Sequence, residues 1–174
     1  IGCEVYTAAR TLFDKDAERD KRMGHLVLLA KNNQGYKNLM KIVSEGYRHG
    51  FYYKPRIDKN VLRQYHEGLI ALSACLAGEI PHRLLNGDYE GAKKEALEML
   101  DIFGEGNFYL ELQDQGLKEE ARILPDMKRL HAETGIPFVA TNDSHYVRQE
   151  DAVAQDILMC IQMGTTVDEE NRMR

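Results

Sequence analysis

Ile136-Pro-Phe-Val-Ala-Thr-Asn-Asp-Ser-His145 is the last of three strand segments that alternate with helices through the second half of the chain. Gly135 is a helix stop ahead of it, Phe138-Val-Ala140 is its apolar run, and Asp143-Ser-His145 is its end. Strand residues two apart point the same way, so an Asp-x-His at a strand end puts both side chains on one side. A carboxylate beside an imidazole is an ordinary ligand pair for zinc or manganese. The same pair also occurs in plain loops, so it gains weight only if further ligands arrive at other strand ends.

Upstream, Gly68-Leu-Ile-Ala-Leu-Ser-Ala74 reads as a strand with Cys75 just past its end, followed by a short helix over Pro81–Leu85. Asp88 caps a long helix, Tyr89–Phe103, whose Ala92, Ala96, Leu97, Met99 and Leu100 face a core. Phe108–Leu112 is the next strand. Leu117–Thr134 is a helix with Pro125 as a possible kink and Gly135 as its C-cap. A final helix runs from Glu150 to Gln162. Strands alternating with helices imply a parallel sheet, open or closed into a barrel, with the site at the carboxyl ends of the strands.

The first half reads differently. Ile1–Tyr6 is a strand with Glu4 in an otherwise apolar run, and His25-Leu-Val-Leu-Leu-Ala30 is a second strand. If the second folds back on the first, Glu4 and His25 become near neighbours. The charged tract between them, Thr7–Gly24, is expected to be a solvated loop. Asn32–Gly46 has helical spacing at Leu39, Met40, Ile42 and Val43. Arg48–Asp58 is expected to be an extended loop, with Asp58 capping the short helix Lys59–Tyr65. The methionines Met40, Met99, Met127 and Met159 are placed in the core.

Glu4, His25, Cys75, Asp143 and His145 are therefore the candidate metal ligands, and they converge provided the sheet is closed. Such a mixture suits a two- or three-metal phosphoesterase site. Each also has a plain structural role open to it. Glu4 could simply be paired, His25 could be a satisfied surface histidine, and Cys75 could be a small buried residue. Lys54 and Arg56 could hold a phosphate. Glu111 faces the same mouth or pairs with a lysine, and is left outside the ligand set. His49, His66, His82 and His131 lack ligand spacing.

A length of 174 residues suits one domain, 1–174, with a hydrophobic share of 43% to build its core. A net charge of −5 gives no overall nucleic-acid footprint, although local basic patches stay open. Three widely spaced cysteines without a C-x-x-C favour a reducing, cytoplasmic setting over a disulfide framework. No apolar run reaches membrane length, and no signal-peptide pattern is visible. Starting inside a strand and stopping at Asn171-Arg-Met-Arg174, the chain reads as a piece of a longer polypeptide.

Several segments carry a resemblance, in order along the whole chain. They are Gly2-Cys-Glu-Val-Tyr6, His25-Leu-Val-Leu-Leu-Ala-Lys31 with Gly35-Tyr-Lys-Asn-Leu39, Gly50-Phe-Tyr-Tyr-Lys-Pro-Arg-Ile-Asp58, Gly68-Leu-Ile-Ala-Leu-Ser-Ala-Cys-Leu-Ala-Gly-Glu-Ile80 and Ala140-Thr-Asn-Asp-Ser-His-Tyr146. Together they resemble the PHP (polymerase and histidinol phosphatase) domain at the amino end of the bacterial DNA polymerase III alpha subunit. The resemblance implies an α/β fold, a distorted seven-stranded β/α barrel, incomplete here because the first strands and their His-x-His would precede Ile1.

It also implies a site for up to three divalent ions, zinc or manganese, at the strand ends. Glu4, His25, Cys75, Asp143 and His145 match that pattern, with Cys75 standing where many relatives have histidine. The implied chemistry is hydroxide attack on a phosphodiester without a protein nucleophile, either as a 3′–5′ exonuclease or, where metal is lost, as a scaffold for a separate exonuclease subunit. The parent would be a DNA-directed DNA polymerase using magnesium in a palm that this chain lacks. Its partners would be DNA and the other holoenzyme subunits. The chain alone is expected to hold its metals incompletely or not at all, and to self-associate through an exposed edge. A stand-alone PHP phosphatase for a small phosphomonoester and a non-catalytic interaction domain are the alternatives.

Overall fold

The computed structural model describes residues 1–170 and 172; of the carboxyl-terminal Asn171-Arg-Met-Arg, all but Arg172 lies outside them. The chain divides into two compact units, 1–141 and 142–174. The first contains the seven strands found among the described residues: β1 (Gly2–Ala8), β2 (Met23–Ala30), β3 (Phe51–Tyr52), β4 (Lys54–Ile57), β5 (Leu69–Leu72), β6 (Phe108–Leu112) and β7 (Phe138–Ala140). They form one sheet in the order β3-β4-β1-β2-β5-β6-β7. β3 and β7 are its two edges, so among the described residues the sheet is an open part of a barrel rather than a closed one.

β5, β6 and β7 are mutually parallel, as the strand–helix alternation requires. β1 runs antiparallel to β2, and β2 antiparallel to β5. The helices of this unit are α1 (Asn33–Arg48), α2 (Lys59–Tyr65), α3 (Glu79–Leu85), α4 (Tyr89–Phe103) and α5 (Lys118–Thr134). Asp58 and Asp88 cap α2 and α4, accepting from Val61 N and Gly91 N. Gly135 ends α5 in the left-handed conformation, and α5 runs unbroken through Pro125. Leu26, Leu28, Leu69, Ala71, Phe108 and Leu110 are buried against these helices. Met99 and Met127 join that core, whereas Met40 is exposed on α1 and Met159 is half-buried.

Two stretches differ from the reading of the sequence. Residues 51–57 are a hairpin whose second strand pairs in parallel with β1, rather than an extended loop. Alternation over so few residues is too short to register as a strand.

The charged tract is not simply solvated either. Leu12 and Asp20 are buried, and Arg10 holds Asp20 through a two-pronged ion pair at 2.9 and 2.6 Å. Asp14 accepts from Thr11, and Asp16 accepts from the backbone N–H of Glu18 and Arg19. Asp58 ties the tract to α2 by also accepting from Leu12 N. Charge counting cannot see such local hydrogen bonds, which turn aspartates into turn formers.

The second unit holds a 3-10 turn (Gln149–Asp151) and α6 (Ala152–Met163), which ends at a left-handed Gly164. No described helix is long and apolar enough to cross a membrane.

Arg56 is fully buried, and its guanidinium donates to the carbonyls of Gly50, Leu12 and Asp14. Arg56→Met is expected to destabilise the protein by about 3 kcal/mol, read as a lower denaturant midpoint. The Arg10 ion pair holds the Asp20 carboxyl down to about 2, from an ordinary value of 3.8. A lowered pKa in the fold means stability present above the ordinary value and lost as pH falls toward about 2. Melting curves between pH 4 and pH 2 should therefore fall more steeply for the native sequence than for Asp20→Asn.

Candidate metal centre

Strand pairing builds the site. Tyr6 on β1 lies opposite His25 on β2, and Glu4 lies opposite Val27. Glu4 and His25 are thus diagonal neighbours on one face of an antiparallel pair, within reach of each other. Glu4 Oε1 is 3.1 Å from His25 Nδ1. Tyr6 packs edge-on to the His25 ring, with centroids 5.1 Å apart.

Cys75 arrives from β5, the next strand along. The chain leaves β5 through Ala74, whose φ of 61° is uncommon outside glycine. The loop then folds onto β2: His25 N donates to Ala77 O, and Gly78 N donates back to Cys75 O. Cys75 Sγ lies 3.7 Å from His25 Nδ1. The ligand atoms of Glu4, His25 and Cys75 all fall within 4.8 Å of one another. Carboxylate, imidazole and thiol at that spacing are a donor set that fits one divalent ion of borderline softness. His25 and Cys75 are half-buried and Glu4 is exposed, so the cluster is open on one side.

The three come together although the sheet is open. β1, β2 and β5 are consecutive neighbours, so closure is not what gathers them.

Asp143 and His145 belong to the second unit. β7 stops at Ala140, so the pair lies in irregular backbone and strand alternation does not orient it. Asp143 has a φ of 48°, and His145 Nδ1 is 2.8 Å from Asp143 O. Both residues are exposed.

Of the proposed phosphate holders, Arg56 has a different role. It is buried, and its guanidinium binds backbone carbonyls and stacks on Tyr52. Lys54 is exposed, with Nζ 5.8 Å from the Tyr6 ring that in turn contacts His25. Burial of an arginine leaves no mark in the sequence when its acceptors are main-chain carbonyls.

Residues 1–115 match the PHP domain family. The chain belongs to that family. This PHP chain is 46% identical over 175 residues to the DNA polymerase III subunit alpha of Treponema pallidum. It is 47% identical to that of Borreliella burgdorferi and 44% identical to that of Thermus aquaticus. Each alignment covers 100% of the chain and 15%, 15% and 14% of the respective relative. The PHP chain thus spans about 15% of the length of the relatives it matches.

Gly78 holds the Cys75 loop closed. A Cβ added there would lie 2.1 Å from Ser73 O and 3.1 Å from Cys75 O, both rigid backbone atoms. Gly78→Ala should cost about 1–3 kcal/mol in a denaturant titration. It should also lower retention of any divalent ion the cluster holds, measured by elemental analysis, because the thiol is displaced from His25.

Proposed function

We propose that this PHP domain is part of a replicative DNA polymerase of the polymerase III alpha type and carries a metal-dependent phosphoesterase site. The observation behind this reading is the meeting of Glu4, His25 and Cys75 from neighbouring strands and the loop after β5, in a chain with polymerase III alpha relatives along its whole length. In that reading the intact protein extends DNA on a template and works with further holoenzyme subunits, while this domain acts on a phosphodiester.

The residues divide the work by chemistry. Glu4, His25 and Cys75 hold the ion, and Asp143 and His145 are proposed as ligands from their match to the family pattern. Zinc or manganese suits the mixed set better than magnesium, since a thiol and an imidazole are softer than the all-oxygen shell that magnesium prefers. A bound ion supplies Lewis-acid stabilisation of a phosphoryl oxygen and lowers the pKa of water. Glu4 offers the carboxylate at the open side of the cluster, where a substrate would enter. Tyr6 packs against the His25 ring and keeps it turned toward Glu4 and Cys75. Lys54, beyond Tyr6, is placed to meet the negative charge of a phosphate.

The test is elemental analysis of the intact polypeptide and of its Asp143→Asn and His25→Ala forms, alongside a 3′–5′ exonuclease assay. Both variants should retain roughly tenfold less metal or worse, in line with the loss of a ligand or its orienting partner. Nucleotide release from a 3′ end should depend on added metal and stop with a chelator. Equal metal content in all three forms would overturn the site. A loaded protein with no nuclease activity would leave the domain as a scaffold for a separate exonuclease.

A further inference from the structure

Leu39 and Ile42 on α1 join the buried core with Leu26 and Leu28, which alternate along β2 with His25. α1 therefore covers the sheet face opposite to the one that bears Glu4 and His25. Its remaining side is turned to water, and two rows run along it. Lys37, Lys41, Ser44 and Arg48 stand at i, i+4, i+7 and i+11, the spacing of one helical row. Tyr36, Met40 and Tyr47 form a second row beside the first, and every member of both rows is exposed. The second row continues off the helix, because the exposed Phe51 ring on β3 has its centroid 6.5 Å from that of Tyr47.

The charges of this face stand out from the rest of the chain. The net charge is −5, and Arg10, Arg22, Arg63, Arg83 and Arg129 each hold a carboxylate. Lys37 and Arg48 have no acidic partner among the described residues, and Lys41 Nζ lies 5.2 Å from the centroid of the Tyr65 ring. Glu45 is the one acid in α1, and its carboxylate is 2.7 Å from His49 Nδ1. The cations of α1 can therefore meet an outside anion without first breaking an ion pair.

The layout says which anion. Lys37, Lys41, Ser44 and Arg48 wall an open groove of about 570 Å³, with exposed rings along its flank. A duplex would offer phosphates to the cations but keep its bases stacked inside, so Tyr36, Tyr47 and Phe51 would stay idle. A single strand uses both rows, its backbone following the cations and its bases stacking on the rings. Tyr36 and Tyr47 lie about 16 Å apart along the helix axis, room for roughly five nucleotides at about 3.4 Å each.

We propose that this face of α1, continued by Phe51, is a docking track for single-stranded DNA. Lys37, Lys41 and Arg48 meet the phosphates, and Tyr36, Tyr47 and Phe51 take the bases. The track needs no ion and is independent of the metal cluster. The choice of DNA as the nucleic acid rests on the polymerase reading.

The experiment is photo-cross-linking of the intact polypeptide, with a chelator present, to a single-stranded oligodeoxynucleotide of about ten nucleotides that carries 5-iodouracil. Mapping the cross-linked residues by mass spectrometry separates this face from any other DNA-binding surface of the intact chain. The expected sites are Tyr36, Tyr47 and Phe51. Tyr47→Ala should raise the DNA concentration for half-maximal cross-linking at this face by about fivefold or more. Lys37→Ala combined with Arg48→Ala should reduce the slope of log affinity against log salt by about 1.4, since each phosphate contact to a single strand contributes about 0.7. All three side chains are exposed, so both variants should melt as the native protein does. Cross-links confined to other surfaces overturn the track. Equal cross-linking of a duplex overturns the assignment to a single strand. Weaker binding in the lysine–arginine variant with none in Tyr47→Ala overturns it as well, because the rings then take no base. No cross-link at all overturns it and leaves the face to a polypeptide partner. Cross-links at α1 in a preparation that does not extend a primer would keep the track and remove the polymerase reading.

Discussion

The register of β1 on β2 is the constraint on which the rest of this molecule depends. It sets Tyr6 against His25 and brings Glu4 diagonally within 3.1 Å of the same imidazole. A slip of one residue would turn Glu4 away from His25, because side chains alternate faces with a period of two. The opposite face prevents the slip. Val5, Leu26 and Leu28 are buried there against helices, and moving them to the open side would expose their apolar surface to water. The packing of one face thus fixes the chemistry of the other.

The amino-terminal half is held by buried charges that are hydrogen-bonded across the chain, although Arg56 Nη1 is left without a partner among the described residues. Arg56 gathers the carbonyls of Gly50, Leu12 and Asp14, Asp20 takes both prongs of Arg10, and Asp58 joins Leu12 to the start of α2. A buried ion is tolerated only when its hydrogen bonds are met inside the protein. These links connect the tract between β1 and β2 to the hairpin of β3 and β4, and the hairpin continues the sheet beyond β1. The long connection can therefore carry many charges and still leave the strand register undisturbed.

Backbone strain falls at or beside two of the candidate ligands. Among the described residues, Ala74 and Asp143 are two of the three non-glycine residues with positive φ; one precedes Cys75 and the other is itself a candidate ligand. Such conformations persist only where surrounding contacts over-determine them. At Ala74 those contacts are visible in the bonds between the loop and His25 and in the Cys75–Gly78 turn. The result is a thiol carried from the end of one strand to the side chain of the next.

Periodicity was enough to locate the caps at Asp58 and Asp88, the stop at Gly135, the parallel run of β5 to β7, and the return of β2 onto β1. All of these depend on residues close together in the chain or on alternation that repeats along it. Glu4 and His25 were legible as neighbours for the same reason, because an antiparallel return determines who faces whom. The meeting with Cys75 depended on the order of strands in the sheet. The buried role of Arg56 and the pinned charged tract were decided only by tertiary structure. Each is a matter of which distant backbone carbonyl or carboxylate lies within hydrogen-bonding reach, and no local pattern of residues encodes that distance.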